Sequence, residues 1–97
     1  MKILHVIADP LAPDNAVNKR VARAFFNTLN EIAPEIDVHT YDLYAAPPPF
    51  INSPIIQFLW YPPGAGGFEP TPEDHSASQF IREQCARLVA ADILVLT

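Results

Sequence analysis

Ile93-Leu94-Val95-Leu96, close to the end of the sequence, is a run of four consecutive large apolar residues. Such a run is typical of a central parallel strand that is covered on both faces. The preceding Ala90-Ala91-Asp92 indicates the end of a helix that leads directly into this buried strand. In open α/β sheets the loop after such a strand belongs to the ligand site. Because only Thr97 follows, we expect the sequence to be the first part of a longer α/β domain.

Two earlier segments are also predicted to be strands. Residues 3–8 form a short β-branched run that only His5 interrupts. From Ile36 to Thr40 apolar and polar residues alternate, and Asp42-Leu43-Tyr44 follows, which indicates a strand nearer the edge of the sheet.

Two amphipathic helices separate the predicted strands. In the first, from Asn15 to Pro34, the residues expected to face the core are Val17, Val21, Ala22, Phe25, Leu29 and Ile32, whereas Lys19, Arg20 and Arg23 belong to the solvated face. In the second, Thr71 is suited to cap the helix and Pro72 to its first position. Its apolar stripe is predicted to comprise Phe80, Ile81, Cys85, Leu88 and Val89. The order β-α-β-loop-α-β predicts a doubly wound α/β fold.

Composition excludes several classes of protein. The net charge of -5 argues against nucleic-acid binding, which needs a basic surface. One cysteine cannot form an internal disulfide, and no apolar stretch has the roughly 18 residues of a membrane span. We therefore expect a soluble cytoplasmic protein.

Residues 45–70 differ from the rest of the chain. Seven of the eleven prolines lie in this segment, together with all three glycines and half of the aromatic residues. It is predicted to be a long loop with a functional role. Its apolar tetrapeptide, Phe58-Leu59-Trp60-Tyr61, indicates an interaction surface; the alternative is that these rings cover the core of the sheet.

Three motifs together resemble the flavodoxin-like NAD(P)H:quinone oxidoreductases and FMN-dependent NADH-azoreductases. They are the first strand with the loop to Asn15-Ala16-Val17-Asn18, the segment Asp42-Leu43-Tyr44 with its following proline, and the Ala-Asp start of the last strand. The Thr71-Pro72 helix start is also similar. The resemblance covers the whole chain except residues 50–69.

The resemblance implies a flavodoxin-like sheet with strand order 2-1-3 in this part of the domain. It also implies a homodimeric flavoenzyme that transfers a hydride from NADH or NADPH to FMN or FAD and reduces quinones or azo compounds. The flavin phosphate would bind at the loop after the first strand, where a helix amino terminus offers free N–H groups. The matching positions are Asp9, Asn15, Ala16, Val17 and Asn18. Phe58, Trp60 and Tyr61 would contact the acceptor or the partner subunit.

The phosphate loop departs from the family pattern. Asn15 and Val17 stand where the family prefers serines, and Asp9 and Asp14 add negative charge. Asn15 has the alternative role of a simple helix cap. These departures keep another function open, a binding module that has lost its flavin and uses residues 45–70, the aromatic segment. An electron-carrier flavodoxin is a third alternative, but the long aromatic segment and the serine-poor phosphate loop argue against it.

The remaining polar candidates are interpreted as structural. His5 is expected to be a buried histidine of the first strand, and His39 and His75 to face solvent. The three histidines have no spacing that suits one metal ion. Cys85 is expected to lie in the core.

Overall fold

The computed structural model describes residues 1–12, 14–60 and 70–97. Within them lie three strands, β1 (Lys2–Ile7), β2 (Asp37–Asp42) and β3 (Ile93–Leu96), and three helices, α1 (Val17–Ile32), α2 (Ser53–Trp60) and α3 (Pro72–Ala90). The chain divides into two compact units, residues 1–47 with 87–97, and residues 48–86. No helix in the described ranges is long and apolar enough to cross a membrane.

The first unit contains a parallel sheet in the order β2-β1-β3, as the sequence predicts. β1 pairs with β2 from Lys2↔Asp37 to Ile7↔Asp42, and with β3 from Ile3↔Ile93 to Val6↔Leu96. The central strand supplies the buried residues Ile3, Leu4 and His5. The carboxyl ends of all three strands therefore meet at one edge of the sheet.

Asp92, the polar residue before β3, has a structural role. Its carboxylate accepts a hydrogen bond from the Lys2 amide at 2.8 Å, and its own amide donates to the Lys2 carbonyl at 2.8 Å. These reciprocal bonds set the register between β1 and β3 at their first residues.

β3 is less buried than its apolar sequence predicts. Ile93, Leu94 and Leu96 are 43%, 45% and 72% exposed. The reason is that β1 is its only partner among the described strands, so β3 lies at the edge of this sheet.

α1 has nearly the predicted limits but a rotated contact face. Its half-buried residues include Ala22, Phe26 and Leu29. The predicted core residues Val17, Val21, Phe25 and Ile32 are instead at least half exposed. The apolar arc of α1 is wider than the stripe that contacts the sheet, so periodicity alone placed its centre wrongly.

The second unit contains a helix where the sequence predicts a loop. Asn52 caps α2, because its side-chain oxygen accepts a hydrogen bond from the Ile55 amide at 3.1 Å. Prolines are frequent on both sides of Asn52, so the sequence pattern does not reveal this helix start. Residues 61–69, which include Tyr61, lie outside the described residues.

α3 begins with the predicted cap. The Thr71 hydroxyl accepts from the Asp74 amide at 3.2 Å, and the Asp74 carboxylate accepts from the Thr71 amide at 2.9 Å. Such a reciprocal pair satisfies two amides at the helix start. The buried face carries Asp74, Ala77 and Ser78, so the predicted stripe is wrong at Cys85, Leu88 and Val89, which are exposed.

Candidate functional site

The loop between β1 and α1 lies at the carboxyl edge of the sheet. It leaves β1 after Ile7, and the Ala8 amide donates to the Thr97 carbonyl at 2.8 Å. Asp42 ends the neighbouring β2 opposite Ile7. Open α/β sheets bind ligands at this edge, so the loop is the candidate site.

Asp9 has a local partner in this loop. Its carboxylate accepts a hydrogen bond from the Leu11 amide at 2.9 Å, which forms a tight turn. A second turn follows, in which the Ala12 carbonyl accepts from the amides of Asn15 at 2.9 Å and Ala16 at 3.1 Å. The negative charge of Asp9 is unfavourable beside an anion. In this structure the Asp9 carboxylate is hydrogen-bonded to a backbone amide.

The amino terminus of α1 is not capped by a side chain. The N-cap residue is Ala16, with extended backbone angles and no side-chain hydrogen bond, so the alternative role of Asn15 as the cap is wrong. The amides of residues 17–19 have no acceptor within the helix. The first turn contains no acidic residue. An uncapped first turn with its positive dipole end intact is suited to an anion.

Four of the five predicted phosphate-site residues lie at this terminus. Ala16 is 1% exposed and anchors the turn, while Asn15, Val17 and Asn18 are exposed. Asn15 and Asn18 carry side-chain amides that can donate to an anion. Asp9 lies at the other end of the loop, in its first turn.

Lys19 is a residue whose position the sequence predicted wrongly. It was assigned to the solvated face, but it is half-buried and its ammonium donates to the Leu11 carbonyl at 2.5 Å. A long lysine stem can pass along apolar surface while its charge reaches a polar partner. Helical periodicity carries no signal for a bond to a loop carbonyl.

Asp42 closes the turn after β2. Its carboxylate accepts from the amides of Tyr44 at 2.9 Å and Ala45 at 3.2 Å. The Tyr44 hydrogen bond is the main cause that lowers the pKa of Asp42, and the positive charge of Lys19 contributes in the same direction. The Asp-Leu-Tyr motif therefore has a structural basis in this turn.

His5 is buried, as predicted, at 4% exposure. Its Nε2 lies 2.6 Å from the Thr97 hydroxyl, and its ring contacts Phe26 with centroids 4.5 Å apart. Burial lowers the pKa of His5, so the ring is neutral near pH 7. A cavity of about 350 Å³ lies beside it, and Lys19, Arg23 and Asp42 also line this space.

The other candidates are dispersed. His39 and His75 are exposed, as predicted. Cys85 is also exposed, so its predicted core position is wrong. Nowhere in the described ranges do three His, Cys, Asp or Glu side chains form a group that could hold a metal ion.

Within residues 45–70 the helix α2 covers Ser53–Trp60, and the Trp60 side chain is 75% exposed. Phe50, before the helix, is 86% exposed. Phe58 lies in α2, and Tyr61 lies outside the described residues.

A family model described as a flavodoxin-like fold matches residues 1–97. Among solved structures, an azoreductase from Bacillus anthracis str. Sterne is 27% identical with a TM-score of 0.76, and the match covers 98% of this chain and 45% of that one. Azoreductase AzrA is 26% identical with a TM-score of 0.77, covering 99% of this chain and 45% of its own. No curated protein matches the chain. The chain thus spans 45% of the length of these two azoreductases, and it belongs to the family of flavodoxin-like fold proteins.

Proposed function

We propose that the protein is a flavin-dependent oxidoreductase that uses NADH or NADPH to reduce quinones or azo compounds. The observation that carries this proposal is the uncapped amino terminus of α1 at the carboxyl edge of β1. The similarity to two azoreductases supports the same class of reaction. In this proposal residues 1–97 are the N-terminal part of one flavodoxin-like domain, and residues 45–70 are its aromatic segment.

The residues of the loop fit the phosphate group of FMN or FAD. The backbone amides of Val17 and Asn18 and the side-chain amides of Asn15 and Asn18 are the donors. Ala16 is buried and anchors the turn that precedes these donors. The Asp9 carboxylate is held in the first turn of the loop by the Leu11 amide.

The flavin supplies the redox chemistry when it is bound: it accepts a hydride from the nicotinamide and gives two electrons to the acceptor. The chain's own role is to bind the phosphate and orient the cofactor at the sheet edge. His5 and Thr97 contribute by joining the ends of β1 and β3 with a hydrogen bond.

We further propose that the protein acts as a cytoplasmic homodimer. Trp60 is exposed and large, and exposed aromatic side chains are frequent at the centres of protein interfaces. Together with Phe58 and Tyr61 it would contact the planar acceptor or the partner subunit.

The test is a redox cycle followed by visible absorption. Purified protein is incubated with FMN or FAD, desalted, and treated anaerobically with NADH or NADPH, and then with a quinone or an azo dye. The proposal predicts a bound-flavin spectrum that the nicotinamide bleaches and the acceptor restores. Folded protein that retains no flavin after desalting would contradict it.

A second candidate function is a binding module without flavin. The exposed Trp60 and Phe50, with valine in place of a phosphate-site hydroxyl at position 17, favour this alternative. The same experiment separates the two, because the binding module would retain neither FMN nor FAD. Its interaction surface would then be the aromatic segment.

A further inference from the structure

The ammonium of Lys19 connects α1 to the loop before it. Lys19 is the third residue of α1, and its Nζ donates to the carbonyl of Leu11, eight residues earlier in the chain. The side chain is half-buried, whereas Arg20 beside it is exposed. This bond restrains the loop at Leu11, although holding the lysine side chain in one conformation costs rotamer entropy.

Leu11 is the junction between the two turns of the loop. Its amide donates to the Asp9 carboxylate in the first turn, and Ala12, the next residue, accepts the two amide hydrogen bonds of the second turn. The second turn is already bonded to the N-cap residue Ala16, whereas the first turn is local. The Lys19 bond adds a direct link from Leu11 to the first turn of α1.

Asp42 lines the same cavity as Lys19. The lysine charge helps to lower the pKa of the Asp42 carboxyl. Asp42 is itself oriented by the amides of Tyr44 and Ala45. Because the ammonium of Lys19 is bonded to the Leu11 carbonyl, its expected effect on a bound phosphate is geometric.

We propose that Lys19 is a positioning residue that holds the β1–α1 loop in the conformation that receives the flavin phosphate. This inference rests on the proposed function. Lys19 acts on the phosphate through the Leu11 carbonyl and the loop, and it touches neither the redox ring nor the acceptor.

The test compares the affinities of FMN and riboflavin, which lacks the phosphate, in the full-length protein. Lys19→Met is expected to weaken FMN binding about tenfold, the effect of one net hydrogen bond, and to leave riboflavin binding within about twofold. Lys19→Arg is expected to retain most of the FMN affinity. Arg20→Met, which removes an exposed neighbouring charge, is the matched control and should match the wild type.

The salt dependence of FMN affinity distinguishes a geometric effect of Lys19 from an electrostatic one. Raising NaCl from about 50 to 300 mM increasingly screens exposed charges. If the effect of Lys19 is geometric, the ratio of wild-type to Lys19→Met affinity for FMN should stay constant over this range. If Lys19→Met does not fold, Lys19→Gln replaces it, and melting curves report the folded state of each variant.

Three results overturn the inference alone: unchanged FMN affinity in Lys19→Met, equal weakening of FMN and riboflavin, or a ratio that falls to one at high salt. The second would assign Lys19 a general structural role. Wild-type protein that binds neither flavin overturns the proposed function as well, so the two failures are distinguishable.

Discussion

At the scale of single residues, three polar side chains at the sheet edge have a defined partner. His5 is bonded to Thr97, Asp9 to Leu11 and Asp42 to Tyr44 and Ala45. The sequence predicts that His5 is buried because it interrupts an apolar strand. It gives no sign of the Thr97 bond, since the two residues are 92 positions apart.

Protonation of His5 is expected to destabilise the fold. Burial lowers its folded-state pKa below the ordinary 6.5, so the unfolded chain binds the proton more readily. This contribution to the free energy of unfolding is complete above pH 6.5 and is lost as the pH falls from 6.5 through the folded pKa. Urea denaturation at pH values between about 7.5 and 5 measures it. His5→Gln should remove this component, and an identical pH dependence in variant and wild type would refute the assignment.

The carboxyl group of Asp42 affects the stability of the fold in a lower pH range. Its folded-state pKa lies below 3.8, so its stabilising effect is present above pH 3.8 and is lost as the pH falls through the folded value. Asp42→Ala should lower the unfolding midpoint near neutral pH, because the amides of Tyr44 and Ala45 lose their acceptor. Asp42→Asn, whose side-chain oxygen can accept the same bonds, should lose less. Equal midpoints for Asp42→Ala and the wild type would contradict this account.

At the scale of elements, sequence patterns locate the strands and long helices but not all their contacts. The β-branched run of β1, the proline after α1 and the Thr71 cap predict those elements correctly. α2 is missed because prolines at positions 47–49 and 54 hide the Asn52 cap. The orientation of α1 is wrong because its apolar arc is wider than the face that meets the sheet.

The orientation of α1 predicts unequal effects of two substitutions. Phe26 is half-buried and stacks on His5, so Phe26→Ala should lower the free energy of unfolding by about 2 to 3 kcal/mol, somewhat less than for a fully buried ring. Val21 is 63% exposed, so Val21→Ala should change it by less than about 0.5 kcal/mol. Chemical denaturation compares the two. A larger loss of unfolding free energy for Val21→Ala than for Phe26→Ala would instead support the contact face predicted from periodicity.

Loss of the capping hydrogen bond of α3 is expected to lower the free energy of unfolding by a smaller amount. Thr71→Ala removes the acceptor of the Asp74 amide and should cost about 1 kcal/mol. Ser76→Ala, at an exposed position of the same helix, is the control and should cost less. Equal unfolding midpoints for the two variants would argue against a stabilising role for the capping pair.

At the scale of the whole molecule, the sheet edge and the aromatic segment are the two features that relate to function. The sequence predicts that the β1–α1 loop lies at the sheet edge, whereas the proposed phosphate-binding role of this loop comes from the family resemblance. It does not predict that Ala16 is the N-cap or that Lys19 binds Leu11, since both depend on the backbone path of the loop.

Trp60 is expected to act in assembly or acceptor binding. Trp60→Ala should weaken self-association or raise the KM for the quinone, because the exposed indole supplies apolar contact area. Sedimentation equilibrium and steady-state kinetics measure these effects, with Gln79→Ala, an exposed residue of α3, as the control. Unaltered dimerisation and turnover in Trp60→Ala would remove this role.

The most direct measurement of the central claim is the dissociation constant of FMN compared with that of riboflavin for the wild-type protein. If the uncapped terminus of α1 binds the flavin phosphate, FMN should bind at least about 100-fold more tightly, the combined effect of several charge-assisted hydrogen bonds. Equal dissociation constants would show that the phosphate makes no contact of consequence, and would contradict the assignment of the β1–α1 loop as the cofactor site.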